Sequence, residues 1–316
     1  MSEETVLCYS EEVDLAIDLV RLGRALLGSA PGHVRVAVLP GAAAGAADRL
    51  AAAGAHAVHT VQGSESADPH VAAERLKALV AELAPTVVLV ASTKRGREVV
   101  GRLAGALDLP AVTGATAVHA AEDGIRVDRE TLSGNAVAVE RIARRPALVA
   151  ILPGTTAPAA AAAPSVERKD HAVTAPAALA ERTELRAKPG GQLEIEKADR
   201  IVSIGRGLKK KEDLALIESL ATALRADVGC TRPLAAEAGW LTDDHWIGLT
   251  GHRVHPKLYV AVGVSGAVQH LVGMRSSKLV VAINKDPNAP IFAQADYRIV
   301  GDLYQIVPAL TKALAG

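Results

Sequence analysis

LYVAVGVSGAVQHLVGMRSSKLVVAINKDPNAPIFAQADYRIVGDL, residues 258–303, decides the fold. Two apolar runs, 258–264 and 279–283, read as strands, and between them Ser265-Gly266-Ala267 opens a helix. Polar side chains appear only where each run stops. In a parallel sheet that edge, outside the carboxyl ends of the strands, is where ligands bind. Residues 201–207, IVSIGRG, repeat the logic upstream. Three strand ends carrying Gly, Ser, Arg and Asn make a site the size of a nucleotide.

The frame around this stretch is globular. A chain of 316 residues favours two domains over one core. Hydrophobic residues are 49% and charged residues 22%, while aromatics at 2% leave the core to Ala, Val and Leu. Lys and Arg number 35, as do Asp and Glu, so the formal net charge is zero. That argues against a nucleic-acid binder, which needs a basic face. No apolar run approaches the ~20 residues of a membrane span. The acidic start, MSEETVLCYSEEVD, has no apolar signal core. Cys8 and Cys230 lie far apart without a CxxC partner, which speaks against a disulfide scaffold or zinc site. The expectation is a cytoplasmic protein.

Along the chain, strands and helices alternate. Apolar spacing predicts helices over 12–27, 71–83 and 98–107, the last capped by Ser92, and strands over 34–39, 58–61, 87–91, 111–118, 124–127, 134–140 and 147–152. This order implies a mostly parallel sheet with antiparallel additions. The Ala- and Pro-rich 154–165 reads as an exposed loop. Residues 165–186 are too short for a domain and return a strand or two to the first sheet. The boundary falls at KPGGQ, 188–192, so the domains are 1–190 and 191–316, with the linker a candidate hinge. The second begins again with a strand at 201–204, a helix at 211–223, strands at 260–264 and 280–283, and a closing helix at 303–314. The fold class is therefore α/β, in two α/β domains, the C-terminal one built on a parallel sheet.

Ser265 is a good helix N-cap, and the free N–H groups that Gly266 and Ala267 expose favour an anion such as a phosphate. An ordinary strand–helix turn has the same sequence. Arg206, set between two glycines, can take a phosphate bidentately, or be a surface loop arginine. The run 209–211, KKK, reads as a solvated helix start. Arg232 can place positive charge against an electron-accepting ring and Thr250 can bond a ring nitrogen. Asn284 offers an amide at a strand end, and Asp302 either joins the site or caps the last helix. His270 is either a donor to a ligand or a satisfied core histidine. His245, His252, His255 and His270 match no metal-ligand spacing. In the first domain Ser92-Thr93-Lys94-Arg95-Gly96 follows a strand and can hold a phosphate or be a cationic loop. There is no GxSxG, P-loop or GxGxxG, and no nucleophile–base pair.

Taken together, SGAVQH (265–270), VAINKDPNAPIF (281–292), QADYRIVGDLY (294–304) and SIGRGLK (203–209) resemble the alpha subunit of electron transfer flavoproteins. SGNAVAVE (133–140) and RPALVAILPG (145–154) extend a looser similarity into the first domain. The resemblance implies an electron carrier, not an enzyme, with FAD held by the second domain and a beta subunit bound by the first. It implies flavin dehydrogenases, such as those of fatty acid oxidation, as donors and a quinone-linked or other oxidoreductase as acceptor. It places Arg206, Thr231, Arg232, Ile247, Gly248, Leu249, Thr250, Ser265, Gly266, Ala267, Val268, Gln269, His270, Asn284, Asp302 and Leu303 against the cofactor. By that analogy Thr250 meets the flavin N5 edge, Arg232 the isoalloxazine face and His270 the pyrimidine carbonyl. Cationic and donor groups there favour the negative charge that arrives with electrons. Leu249 stands where the family has glutamine, and Thr231 where serine is common. An electron-bifurcating variant is decided by the partner. A plain α/β enzyme using a nucleotide would need a base or nucleophile at the strand ends, and a scaffold would tolerate loss of Arg232.

Overall fold

The computed structural model describes residues 4–134, 136–155, 166–174, 176–184 and 193–315. The Ala- and Pro-rich loop, apart from Gly154 and Thr155, and the KPGGQ linker lie outside the described residues. The chain divides into two compact units, Met1–Leu185 and Arg186–Gly316.

The first unit is built from β1 (Glu4–Tyr9), α1 (Val13–Leu27), β2 (Gly32–Val38), α2 (Ala46–Ala52), β3 (Ala57–Gln62), α3 (Pro69–Leu83), β4 (Val87–Ala91), α4 (Lys94–Leu107), β5 (Ala111–Ala121), β6 (Gly124–Thr131), β7 (Ala136–Ile142), β8 (Ala147–Ile151) and β9 (Glu167–Ala172). One sheet holds all nine strands, in the order β7-β6-β5-β8-β4-β1-β2-β3-β9. Pairing is parallel except where β6 joins β5 and β7. The central strands β4 and β8 are buried at every residue, the mark of parallel strands covered on both faces. Alternation in β1 feeds two cores: Val6 and Cys8 pack with Leu19 and Val20 of α1, Leu7 and Tyr9 with Leu76 of α3 and Leu103 of α4. Each such Leu or Val contributes about 1.5–3 kcal/mol by leaving water. The returning strand expected from 165–186 is β9, parallel to β3.

The second unit contains β10 (Arg200–Ile204), α5 (Leu214–Leu224), β11 (Asp227–Cys230), β12 (Leu258–Val262), α6 (Val268–Met274), β13 (Val280–Asn284), β14 (Tyr297–Val300) and α7 (Leu303–Ala315). Its sheet is parallel throughout, in the order β11-β10-β12-β13-β14. The chain leaves β10 to one side for β11 and returns to the other for β12, so the strand order reverses between β10 and β12. A crevice opens at such a reversal, at the carboxyl edge. α5 and α7 pack on Val202, Ile204, Val260 and Val262. The opposite face, Ile201, Tyr259 and Ala261, is covered by Leu271 and Met274 of α6.

Several local expectations are corrected. β1, α2, β11 and β14 form where no element was expected. The cap of α4 is Thr93, whose Oγ accepts the Gly96 N–H at 2.8 Å; Ser92 is one residue too early, and the helix begins at Lys94. The helix expected at 211 starts with a 3-10 turn, Lys211–Asp213, before α5. Ala267, not Ser265, is the N-cap of α6, and it makes no side-chain cap bond. No helix among the described residues is long and apolar enough to cross a membrane.

Candidate functional site

The sixteen residues named from the sequence gather at the carboxyl edge of the second sheet, tied together by backbone bonds. At the exit of β10, the Gly205 N–H donates to Val262 and the Gly207 N–H to Gly263, which holds Arg206 outward beside the end of β12. The Thr231 N–H donates to Ile204 at 2.9 Å, which sets Thr231 and Arg232 next along the edge. A tight loop then returns to the sheet. The Ile247 N–H donates to Cys230, the Gly251 N–H to Gly248, and the His252 N–H to Trp246. This loop presents Leu249 and Thr250, and the Leu249 N–H donates to Gln269 at 2.7 Å, joining the loop to the start of α6.

The turn from β12 into α6 depends on Gly266. Its φ is +86°, and a Cβ there would sit 2.2 Å from the Ile291 nitrogen. The same Ile291 N–H donates to the Ser265 carbonyl, so the turn is stitched to the segment after β13. Asn284 serves that stitching too: its Nδ2 donates to the Val264 carbonyl at 2.8 Å and its Oδ1 accepts the Asp286 N–H at 3.0 Å. Asp302 caps α7, its Oδ1 accepting the Tyr304 N–H at 3.0 Å. The Leu303 side chain is buried in the core. Asn284, Asp302 and Leu303 thus shape the edge with side chains committed to the protein.

His270 is the clearest change of role. It is 5% exposed. Its Nδ1 lies 3.0 Å from the Ile247 carbonyl and must donate there, so Nε2, 2.9 Å from the Tyr259 hydroxyl, accepts from it. Burial pushes its pKa down to about 4, so the ring is neutral. With both nitrogens engaged, it holds the Thr250 loop against β12 and α6 in place of donating to a pyrimidine carbonyl.

The other polar groups are available. Arg206, Thr231, Thr250, Ser265 and Gln269 have no side-chain hydrogen bond among the described residues. The Arg232 guanidinium carbon lies 5.4 Å from the centre of the Trp246 ring. Beside them two large apolar side chains face water, Leu249 at 41% and Val268 at 42% exposure. Cations, hydroxyls and an apolar platform on one crevice suit an amphipathic ligand with a flat ring at one end and phosphates at the other. That fits a flavin dinucleotide. The Cys230 thiol beside it is buried, which raises its pKa to about 12 and keeps it an inert core group. Sequence reading overlooked Trp246 and Tyr259. An aromatic residue shows no period of its own in a loop, and Tyr259 reads as one more apolar strand residue.

Comparison with known proteins gives this geometry a context. Residues 194–275 match the electron transfer flavoprotein FAD-binding domain, and residues 14–177 the electron transfer flavoprotein domain. Asn284, Asp302 and Leu303 lie beyond the first match. The chain is 38% identical over 248 residues to an Escherichia coli K12 protein named as the electron transfer flavoprotein subunit YdiR, covering 77% of this chain and 78% of that protein. It is 40% identical over 233 residues to the protein FixB of Escherichia coli O1:K1, covering 72% and 74% of the two.

Proposed function

Because this chain belongs to the electron transfer flavoprotein family, as a subunit of the alpha type that carries the FAD-binding domain, we propose that it holds FAD in the crevice between β10 and β12 and passes electrons through it. Arg206 and the backbone N–H groups of 265–267 bind phosphate. Leu249 and Val268 pack the ring system, Thr250 bonds its N5 edge and Arg232 faces it with positive charge. The flavin supplies the redox chemistry; the protein binds it, excludes water and sets the local field. The observation that carries this reading is the row of hydrogen-bonding side chains left unpaired on one sheet edge beside exposed apolar ones. The donor is a flavin-containing dehydrogenase, the acceptor a quinone-linked or other oxidoreductase, and the compartment the cytoplasm.

The family implies a beta subunit as partner. We assign its docking to the antiparallel end of the first sheet. Edge strand β7 leaves Val137 62% and Val139 63% exposed, and an exposed apolar edge needs cover. Replacing Val139 with Glu should weaken assembly at least tenfold, read by titrating one subunit with the other; unchanged affinity moves the interface elsewhere.

The test of the site is the heterodimer itself. The purified complex is expected to be yellow with one FAD on this subunit. Arg232→Ala should keep the complex assembled while lowering the flavin midpoint potential, since an exposed charge near the ring is worth about 1 kcal/mol. A colourless complex that accepts no electrons from a flavin donor would overturn the proposal.

A further inference from the structure

Trp246 occupies an unusual position for a residue with no assigned role. Its indole lies over the Arg232 guanidinium, 5.4 Å from ring centre to carbon. The same ring supports the turn that presents Thr250. A Cβ on Gly251 would fall 2.9 Å from Trp246 Cγ and Cδ1, and one on Gly248 would fall 3.4 Å from Nε1. Both ends of the turn therefore rest on one indole, and only glycine at 251 lets it approach so closely. The backbone of Trp246 is tied down as well: its N–H donates to Asp243, and its carbonyl accepts the His252 N–H at 2.8 Å.

A guanidinium is planar and can lie against an aromatic ring. Here the Arg232 guanidinium carbon lies over the Trp246 ring, 5.4 Å from its centre. Without the indole, an exposed arginine would sample several rotamers, and its charge would be spread over them and screened by water. With it, direction is fixed by a cation–π contact, for which Trp is the strongest partner. We propose that Trp246 is a positioning residue for the cofactor, presenting Arg232 and Thr250 to the isoalloxazine as one rigid unit and so helping to set its potential. This rests on the assignment of the crevice to FAD.

The experiment is a potentiometric titration of the FAD-loaded heterodimer carrying Trp246→Leu or Trp246→Phe, alone and with Arg232→Ala. Trp246→Leu is expected to shift the one-electron equilibrium about threefold to tenfold toward oxidised flavin, the upper end being 59 mV lower in potential. Trp246→Phe should restore most of the loss, because a ring remains. In the Arg232→Ala background the Trp246→Leu effect should shrink, since Trp246 acts through that guanidinium. If Trp246→Leu does not fold, Trp246→Phe alone decides, with a smaller fall in the same direction expected. Wild-type potential in the folded Trp246→Leu protein, or in Trp246→Phe when that is the only variant obtained, overturns the inference and leaves the FAD site standing. A wild-type complex without flavin overturns the site and the inference together.

Discussion

At the scale of single residues, His270 illustrates how a polar side chain near a ligand site can belong to the scaffold. Its folded pKa is near 4 against 6.5 for a free imidazole, so the unfolded chain takes up the proton first. Stability should be complete above about pH 6.5, fall as the pH drops toward 4, and level off below that. Between pH 7 and pH 5 the loss should be on the order of 2 kcal/mol, read as a falling midpoint of the second unit's transition in urea unfolding; His270→Gln should flatten that slope. The first unit's transition should fall over the same pH range through His59, whose pKa burial and the neighbouring His171 also push down to about 4. Tyr259→Phe would leave His270 Nε2 buried without a donor, at a cost of about 1–3 kcal/mol. The sequence offered a satisfied core histidine as one of two readings of His270, but it did not show the partners that decide between them. A histidine one turn into a helix has the same spelling whether it faces a ligand or a tyrosine, and the deciding partners are 11 and 23 residues away.

Burial helped some elements to be read but not all: β1, buried at five of its six residues, was missed behind an acidic start, while half-exposed β7 was expected. β4 and β12 are nearly continuous apolar runs with covered faces, and their ends fell within two residues of the expected ones. β14 was missed because it is an edge strand with three of its four residues exposed, which erases the apolar signal. β11 hid for the opposite reason, being only four residues with a glycine inside. α2, an Ala-rich helix of seven residues after the Gly- and Ala-only stretch 41–45, has no periodic stripe to detect. Turn chemistry was half readable: the glycine of Ser265-Gly266-Ala267 was recognised, but the helix begins at Val268, three residues after the serine. The turn also yields a prediction. Gly266→Ala places a methyl against fixed backbone at a positive φ, and should cost about 1–3 kcal/mol while expelling FAD. Equal melting temperature and full flavin content in that variant would show that the stitch to Ile291 is dispensable.

For the whole molecule, the two units have separate cores and separate sheets, and single-transition unfolding is not the expectation. Calorimetry of the isolated chain should resolve two transitions, with added FAD raising only one. At free FAD one hundred times its dissociation constant the gain is about 2.7 kcal/mol, since ligand bound to the native state stabilises by mass action. A single transition that moves as a whole would mean the units unfold together. The crevice at the carboxyl edge of the second sheet was legible in the sequence because strand-end geometry is a property of the parallel sheet, not of particular side chains. The roles within it were less so, because they depend on which groups the fold has already paired.

The placement of the indoles has a practical corollary. The chain has two tryptophans, Trp240 and Trp246, and both belong to the second unit, while the first has none. Intrinsic emission excited at the red edge of protein absorption therefore monitors the cofactor-bearing half alone. One of its two fluorophores lies against Arg232, beside the crevice proposed for the cofactor, so loading with FAD should dim the signal and melting of the other half should leave it unchanged.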